Sequence, residues 1–324
     1  MSVRNSGRAL IVALGVLPFG AGAQTADYYP SKPIRMLTPA QPGGGTDIFA
    51  RSFGPKLAEV FKQQVVVDNR PSASGVLAAE LTLKAAPDGY TLFMTYTQHT
   101  LNGVFDPKLP YHPVNDFSPV SQLMAAGTLL LVNSATPVKT LKEFVEWTKN
   151  FKGPLNYGTA GTGSGGHLAG ELYNRAVGTH AQHIAYKGAA PALIDLAGGQ
   201  YHFTFAGMQS SQPLIRGGKL RALAVTAPKR LAVYPDLPTM SELIPGFEMV
   251  GWYGLIGPPK MPKAILAKLH TELAKIAQMP DIRDRMHAEG AEPVGSDPET
   301  FRRYLPADMA KWAKLMKDSG TKIN

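Results

Sequence analysis

The sequence predicts an α/β protein of two domains, and three observations carry that expectation. At 324 residues, the chain exceeds the roughly 100–200 residues of an ordinary domain. Short apolar, β-branched segments alternate with stretches of helical spacing, the pattern of mostly parallel sheets flanked by helices. One local unit, a strand followed by a glycine-rich loop and a helix start, occurs near residue 44 and again near residue 163.

Residues 34–37 form the first strand, and the loop Pro39-Ala40-Gln41-Pro42-Gly43-Gly44-Gly45-Thr46-Asp47 follows it. Phe49, Phe53, Leu57, Val60 and Phe61 then recur at helical spacing, with Thr46 or Asp47 placed to cap the first turn. Val65-Val66-Val67, the loop from Asp68 to Gly75 and the helical stretch 76–85 repeat the unit. Residues 90–96 read as a third strand. Pro107, Pro110 and Pro113 break residues 102–117 into an irregular connection. A strand over 127–132 and a helix over 141–149 come next.

The short strand 155–157 opens into Gly158-Thr159-Ala160-Gly161-Thr162-Gly163-Ser164-Gly165-Gly166, and a helix runs over 167–177. Strands over 183–186, 201–206 and 220–226 and a helix over 190–196 complete the second block. After a proline-rich passage over 235–262 that holds Trp252 and Tyr253, expected as packing residues, three amphipathic helices cover 264–278, 280–289 and 298–318.

The N-terminus has the order of an export signal: Arg4 and Arg8, the apolar run 9–17, then Ala21-Gly22-Ala23, with cleavage expected before Gln24. No later stretch approaches the roughly 20 apolar residues of a membrane span. Cysteine is absent, which excludes disulfides, thiolate metal sites, a catalytic thiol and a lipid-bearing cysteine. The net charge of +9 becomes +7 when Arg4 and Arg8 leave with residues 1–23. Basic residues are scattered, as in Lys229-Arg230 and Arg302-Arg303, without the runs that bind nucleic acid.

Glycine loops that run into helix starts present backbone N–H groups and the positive end of the helix dipole, which suits carboxylate or phosphate oxygens. Two such loops suit the two walls of one cleft. Gly161 to Gly166 also satisfies G-x-G-x-x-G, but His183-Ile184-Ala185-Tyr186-Lys187 stands where a dinucleotide site needs an acidic residue. No nucleophile elbow, H-E-x-x-H, P-loop lysine or acidic pair occurs, so neither an enzyme nor a cofactor is expected. His180 and His183 lack a third ligand and read as a solvated or hydrogen-bonded pair, with no metal site.

In order along the chain, Tyr29 to Ile34, Pro42 to Asp47 with Ala50-Arg51, Val66 to Pro71, Pro87 to Leu92, Asp116 to Val120, Tyr157 to Leu168, Ala185 to Gly188, Gly218 to Thr226 and Pro235 to Glu242 resemble the tripartite tricarboxylate transporter receptor family, the Bug-type periplasmic solute-binding proteins. The resemblance implies a type II periplasmic-binding-protein fold with a ligand cleft between two α/β domains. Residues 28–124 with 227–324 would form one domain and 125–226 the other, with crossings near Met124-Ala125 and Thr226-Ala227. It further implies that a ligand carboxylate is held by the two glycine loops, partly through ordered waters. On this sequence the implied residues are Gly43, Gly44, Thr46 and Asp47 on one wall, and Thr159, Thr162, Gly163, Ser164 and His167 on the other.

Two departures bear on the ligand. Ser72 and Ser74, on either side of Ala73, stand where relatives have glycines, which adds hydroxyls at this third loop of the site, and Ala40-Gln41 replaces the usual aromatic residue before the first loop. Tyr96 and His99, at the end of the third strand, are further specificity candidates. The implied function is a periplasmic, monomeric receptor that closes on a di- or tricarboxylate or an aromatic acid and delivers it to a membrane permease, or alternatively reports it to a signalling receptor.

Overall fold

The computed structural model describes residues 28–319, so the export signal expected over residues 1–23 lies outside the described residues. The first sheet has the order β11-β4-β10-β3-β1-β2 and the second the order β7-β6-β8-β5-β9. In the first, β1 (Ile34–Thr38) lies between β2 (Val65–Asn69) and β3 (Thr91–Tyr96), both parallel to it. The strands β4 (Ser118–Gly127) and β10 (Val250–Gly257) pair antiparallel, and β11 (Ala291–Pro293) closes the edge. In the second, β6 (Asn156–Thr159) lies between β7 (Gln182–Ala185) and β8 (Phe203–Ala206), while β5 (Leu129–Asn133) runs antiparallel to both β8 and β9 (Leu220–Val225).

Each sheet is covered on both faces. On the first, the helices α1 (Gly45–Phe61), α8 (Lys263–Ala277) and α9 (Pro280–Ala288) bury Phe53, Leu57, Leu269 and Met286 in one core. The other face buries Ala78 and Ala79 of α2 (Val76–Leu83) with Trp252, Phe301 and Leu305, the last two from α10 (Pro298–Ser319). On the second sheet, α4 (Leu141–Lys149) and α5 (Gly165–Val177) pack around Phe144, Tyr157 and Phe203. The helices α6 (Ala189–Ala197) and α7 (Met208–Arg216) cover its opposite face with Leu193, Leu196 and Met208. Burial of such side chains is worth about 1.5–3 kcal/mol each and is the main support of both bodies.

The sheets are mixed where mostly parallel pairing was expected. The reason lies in the segments that pass between the sheets. The strand β10, which lies inside the proline-rich passage 235–262, runs opposite to both of its neighbours, β3 and β4. Near the expected crossing, Met124 and Ala125 still pair with β10 and the first sheet keeps the chain through Gly127. Residues 227–249, assigned from sequence to the first body, pack on the second, since Leu231 joins one of its cores and Met240, Phe247 and Met249 the other. The junction is closed by Thr226. It donates from Oγ1 to the Met249 carbonyl (2.6 Å) and accepts the Thr128 N–H (2.8 Å). Finally, α10 starts on the first body but ends with Trp312, Leu315 and Met316 in the second core.

Candidate functional site

The first glycine loop leaves β1 and enters α1 without a side-chain cap on Gly44. A Cβ at Gly44 would meet Ala40 Cβ at 2.8 Å, so only glycine allows the chain to fold back this tightly. Asp47 holds the loop from behind. Its carboxylate accepts the Gly43 N–H (2.9 Å), Asn69 Nδ2 (2.8 Å) and Arg51 Nε (2.9 Å), while Asn69 also donates to the Ala40 carbonyl (2.9 Å). Burial raises the pKa of Asp47, but the hydrogen bonds from Arg51, Gly43 and Asn69 outweigh it and hold the group below the usual carboxylate range. Thr46 is equally inward, its Oγ1 lying 2.6 Å from Thr38 Oγ1.

Below the loop lies an aromatic floor. Tyr253 packs edge-on to Phe49 at 4.9 Å and stacks on Tyr96 at 6.1 Å. The Tyr253 hydroxyl reaches the start of α1, where a Cβ on Gly45 would stand 3.0 Å from it.

The second loop joins β6 to α5 and is held by neutral groups. Ser164 caps the helix by accepting the His167 N–H. His167 is 1% exposed; its Nδ1 accepts the Gly163 N–H (3.0 Å) and its ring stacks on His183 at 4.0 Å. His183 Nε2 in turn lies 2.6 Å from Thr159 Oγ1, which also accepts the Gly161 N–H. Burial pushes both imidazoles down to about 4, so both are uncharged at neutral pH. Gly166 packs on β8 so closely that a Cβ would lie 2.3 Å from the Phe205 carbonyl oxygen.

Two further helices start at the same place. α6 begins after Gly188 and α7 after Gly207, neither with a side-chain cap, and a Cβ on either glycine would meet no atom within 4 Å. The starts of α5, α6 and α7 on one wall therefore face the start of α1 on the other across a cavity of about 900 Å³. Each start leaves first-turn N–H groups without intrahelical partners and carries roughly half a positive charge. Among the described residues, no lysine, arginine, histidine or aspartate lines the cavity, and Glu289 is its one charged residue. The arrangement can bind a small anion through backbone donors, with Tyr96, Phe49, Leu193, Met208 and Met249 to surround its carbon skeleton. Among the described residues, no three His, Asp or Glu side chains group as a metal site requires. None of the described helices is long and apolar enough to cross a membrane.

Of the residues singled out from sequence, Gly43, Gly44, Ser74, Tyr96, Thr162 and Ser164 line this cavity. Thr46, Asp47, Thr159, Gly163 and His167 stand behind it and fix the loops. Gly163, at φ +77°, presses against the Phe105 ring of α3 (Gln98–Phe105), with room for no Cβ. Ser72 lies on an outer groove, where its Oγ accepts the Leu77 N–H; Ala73 opens the short 3₁₀ turn Ala73–Gly75. His99 is the correction. Gln98 already begins α3, which rotates His99 into the core between Tyr111 and Phe117, and its Nε2 lies 2.8 Å from the Pro113 carbonyl oxygen. Sequence reading missed Glu289 and the starts of α6 and α7, and it took Tyr253 as a packing residue. A single glycine between a strand and a helix, as at Gly188 and Gly207, was the available signal.

Residues 49–321 match the model of the family described as "Tripartite tricarboxylate transporter family receptor". The chain is 32% identical over 320 residues to protein BugT of Bordetella pertussis, covering 97% of this chain and 98% of that one. The structure of R. palustris Rpa4515 with adipate superposes with a TM-score of 0.82 at 33% identity, covering 90% of this chain and 98% of that one. MatC (Rpa3494) from Rhodopseudomonas palustris with bound malate gives a TM-score of 0.75 at 31% identity, over 89% of this chain and 99% of that one. The two sheets and the cleft between them are thus the periplasmic-binding-protein fold. On the family match and these relatives together, the chain belongs to the tripartite tricarboxylate transporter receptor family.

Proposed function

We propose that this protein works outside the cytoplasm as a monomeric receptor that captures a small organic carboxylate between its two walls and delivers it to a membrane permease of the tripartite tricarboxylate transporter type. The observation that carries the reading is the convergence of four helix starts on a cavity without cationic side chains. Backbone N–H groups and hydroxyls satisfy a carboxylate without a buried arginine. Similar proteins with adipate and with malate support the ligand class.

Capture is a shift of population. A ligand that bonds to the start of α1 and to those of α5, α6 and α7 at once stabilises the closed form over the open one by the bonds it makes across the cleft. The strands about Thr128, Thr226 and Met249 are where the walls pivot, and the permease reads the closed form. Removal of residues 1–23, with cleavage before Gln24, accompanies export.

The test is a thermal-shift screen of residues 24–324 against aliphatic dicarboxylates, tricarboxylates, amino and hydroxy acids and aromatic acids. A ligand present at about 100 times its Kd stabilises the folded protein by about 2.7 kcal/mol. A raised melting midpoint with at least one carboxylate class is expected. No shift with any class, confirmed by calorimetry, refutes the reading.

A further inference from the structure

Glu289 directly follows the last turn of α9, and it is an unusual residue for this cavity because every other potential anchor on the wall is neutral. Its place is fixed from both sides. Tyr253, whose hydroxyl lies against the start of α1, has its phenol pushed up chiefly by burial, with Tyr96 and then Glu289 adding to the effect, so phenol and carboxylate are electrostatic neighbours. The next residue, Gly290, has φ +69°, and a Cβ there would lie 2.5 Å from Cε of Met208, the first residue of α7. Glu289 therefore stands where the aromatic floor of one wall meets a helix start of the other.

Its tie to its own helix is loose. Arg285 Nε lies 3.8 Å from Glu289 Oε1, beyond hydrogen-bond reach, and the arginine side chain is 53% exposed. Burial raises the carboxyl pKa and Arg285 offsets this only in part. A carboxylate in such a place gains most from a donor brought in by the ligand and loses most from a second anion nearby.

We propose that Glu289 selects the far end of the ligand: while the ligand carboxylate sits at the helix starts, Glu289 accepts a hydrogen bond from a ligand ammonium or hydroxyl group and rejects a second free carboxylate. The inference rests on the receptor reading and narrows its ligand to amino and hydroxy carboxylates, a class apart from the adipate held by the Rpa4515 neighbour. Tyr253 and the apolar residues on the wall enclose the carbon chain between the two ends.

The experiment is titration calorimetry of the full mature chain with a matched series of ω-amino acids, ω-hydroxy acids and dicarboxylates of four, five and six carbons. The wild type is expected to bind the best amino or hydroxy acid about tenfold or more tighter than the dicarboxylate of equal length. Glu289→Gln keeps the shape and removes the charge, so it abolishes the preference for ammonium and strengthens dicarboxylate binding. Arg285→Ala removes the partial counter-charge and widens the wild-type preference. An identical ligand ranking in the wild type and Glu289→Gln, in whichever order, overturns the role of Glu289 while the receptor reading stands. A folded wild type that binds none of the series overturns both.

Discussion

The two glycine loops of the cleft have the same local grammar but different clamps. The first is held by a carboxylate: Asp47 collects the Gly43 N–H, Asn69 and Arg51 in one ionic cluster at the edge of the sheet. The second is held without formal charge, through the stacked pair His167 and His183 and the hydroxyls of Thr159 and Ser164. The first wall also offers one helix start above an aromatic floor, the second three helix starts above a mostly apolar face. What a cleft needs from each loop is a fixed set of outward N–H groups. The chemistry that fixes them is free to differ, provided it stays behind the loop and leaves the ligand to the backbone.

The comparison breaks most directly at Gly166. Its alanine would drive a methyl group into the Phe205 carbonyl, and backbone cannot yield as a side chain can, so Gly166→Ala is expected to cost about 3 kcal/mol in urea unfolding and to abolish ligand binding. On the other loop, Asp47→Ala leaves the Gly43 N–H and Asn69 without their shared acceptor. A loss of about 2 kcal/mol is expected, with weaker binding that follows from a loosened loop rather than a lost contact. Binding that falls while stability stays at wild type would place Asp47 in contact with ligand instead.

The two clamps also separate by pH. His167, His183 and the core residue His99 all sit near 4 in the folded state against 6.5 when free, because burial disfavours the charged ring. The unfolded chain binds more protons between these values, so their contribution to stability is complete above about pH 6.5 and declines as pH falls toward 4. Asp47 has the opposite charge but the same sign of shift: its folded pKa lies below 3.8, and its contribution is lost only as pH falls below that value. Each shift is worth up to about 2 kcal/mol between pH 7 and 4.5, so stability should fall by several kcal/mol over this range, with the second loop opening first, as amide exchange at Gly163 would report. A flat profile over this range would contradict the neutral clamp. The smallest effect is expected at Thr162→Val, which removes one hydroxyl from the cleft lining at an exposed position: binding weakens by about twofold to tenfold with stability unchanged.

Much of the cleft was legible because its walls are built from local units. A β-branched strand, a glycine-rich loop and an amphipathic helix fix the direction in which the loop N–H groups point and mark both loops, and the family resemblance narrows them to residues such as Gly43, Gly44, Thr162 and Ser164. The side chains behind the loops were legible as a set but not in their role: Asp47 and His167 reach back to the N–H groups of Gly43 and Gly163, a choice made by loop geometry that spacing does not reveal. His99 shows a sharper limit. One turn of helix beginning at Gln98 was enough to move it from the end of a strand into the core. The antiparallel strands β4 and β10 were obscured by proline and glycine, which local propensity reads as breaks and which tertiary pairing overrides. Glu289 is visible at the cleft only once α9 and β11 are folded against the first sheet.

The central claim is that a carboxylate is gripped by backbone N–H groups of both walls, and its most direct test is a titration of the 15N-labelled mature protein followed by amide resonances. With a carboxylate that raises the melting midpoint, the account predicts large shifts at the amides of Gly44, Gly45, Gly165, Gly166, Ala189 and Met208 together, saturating at one ligand per chain. Shifts confined to one wall, or centred away from these helix starts, would contradict it.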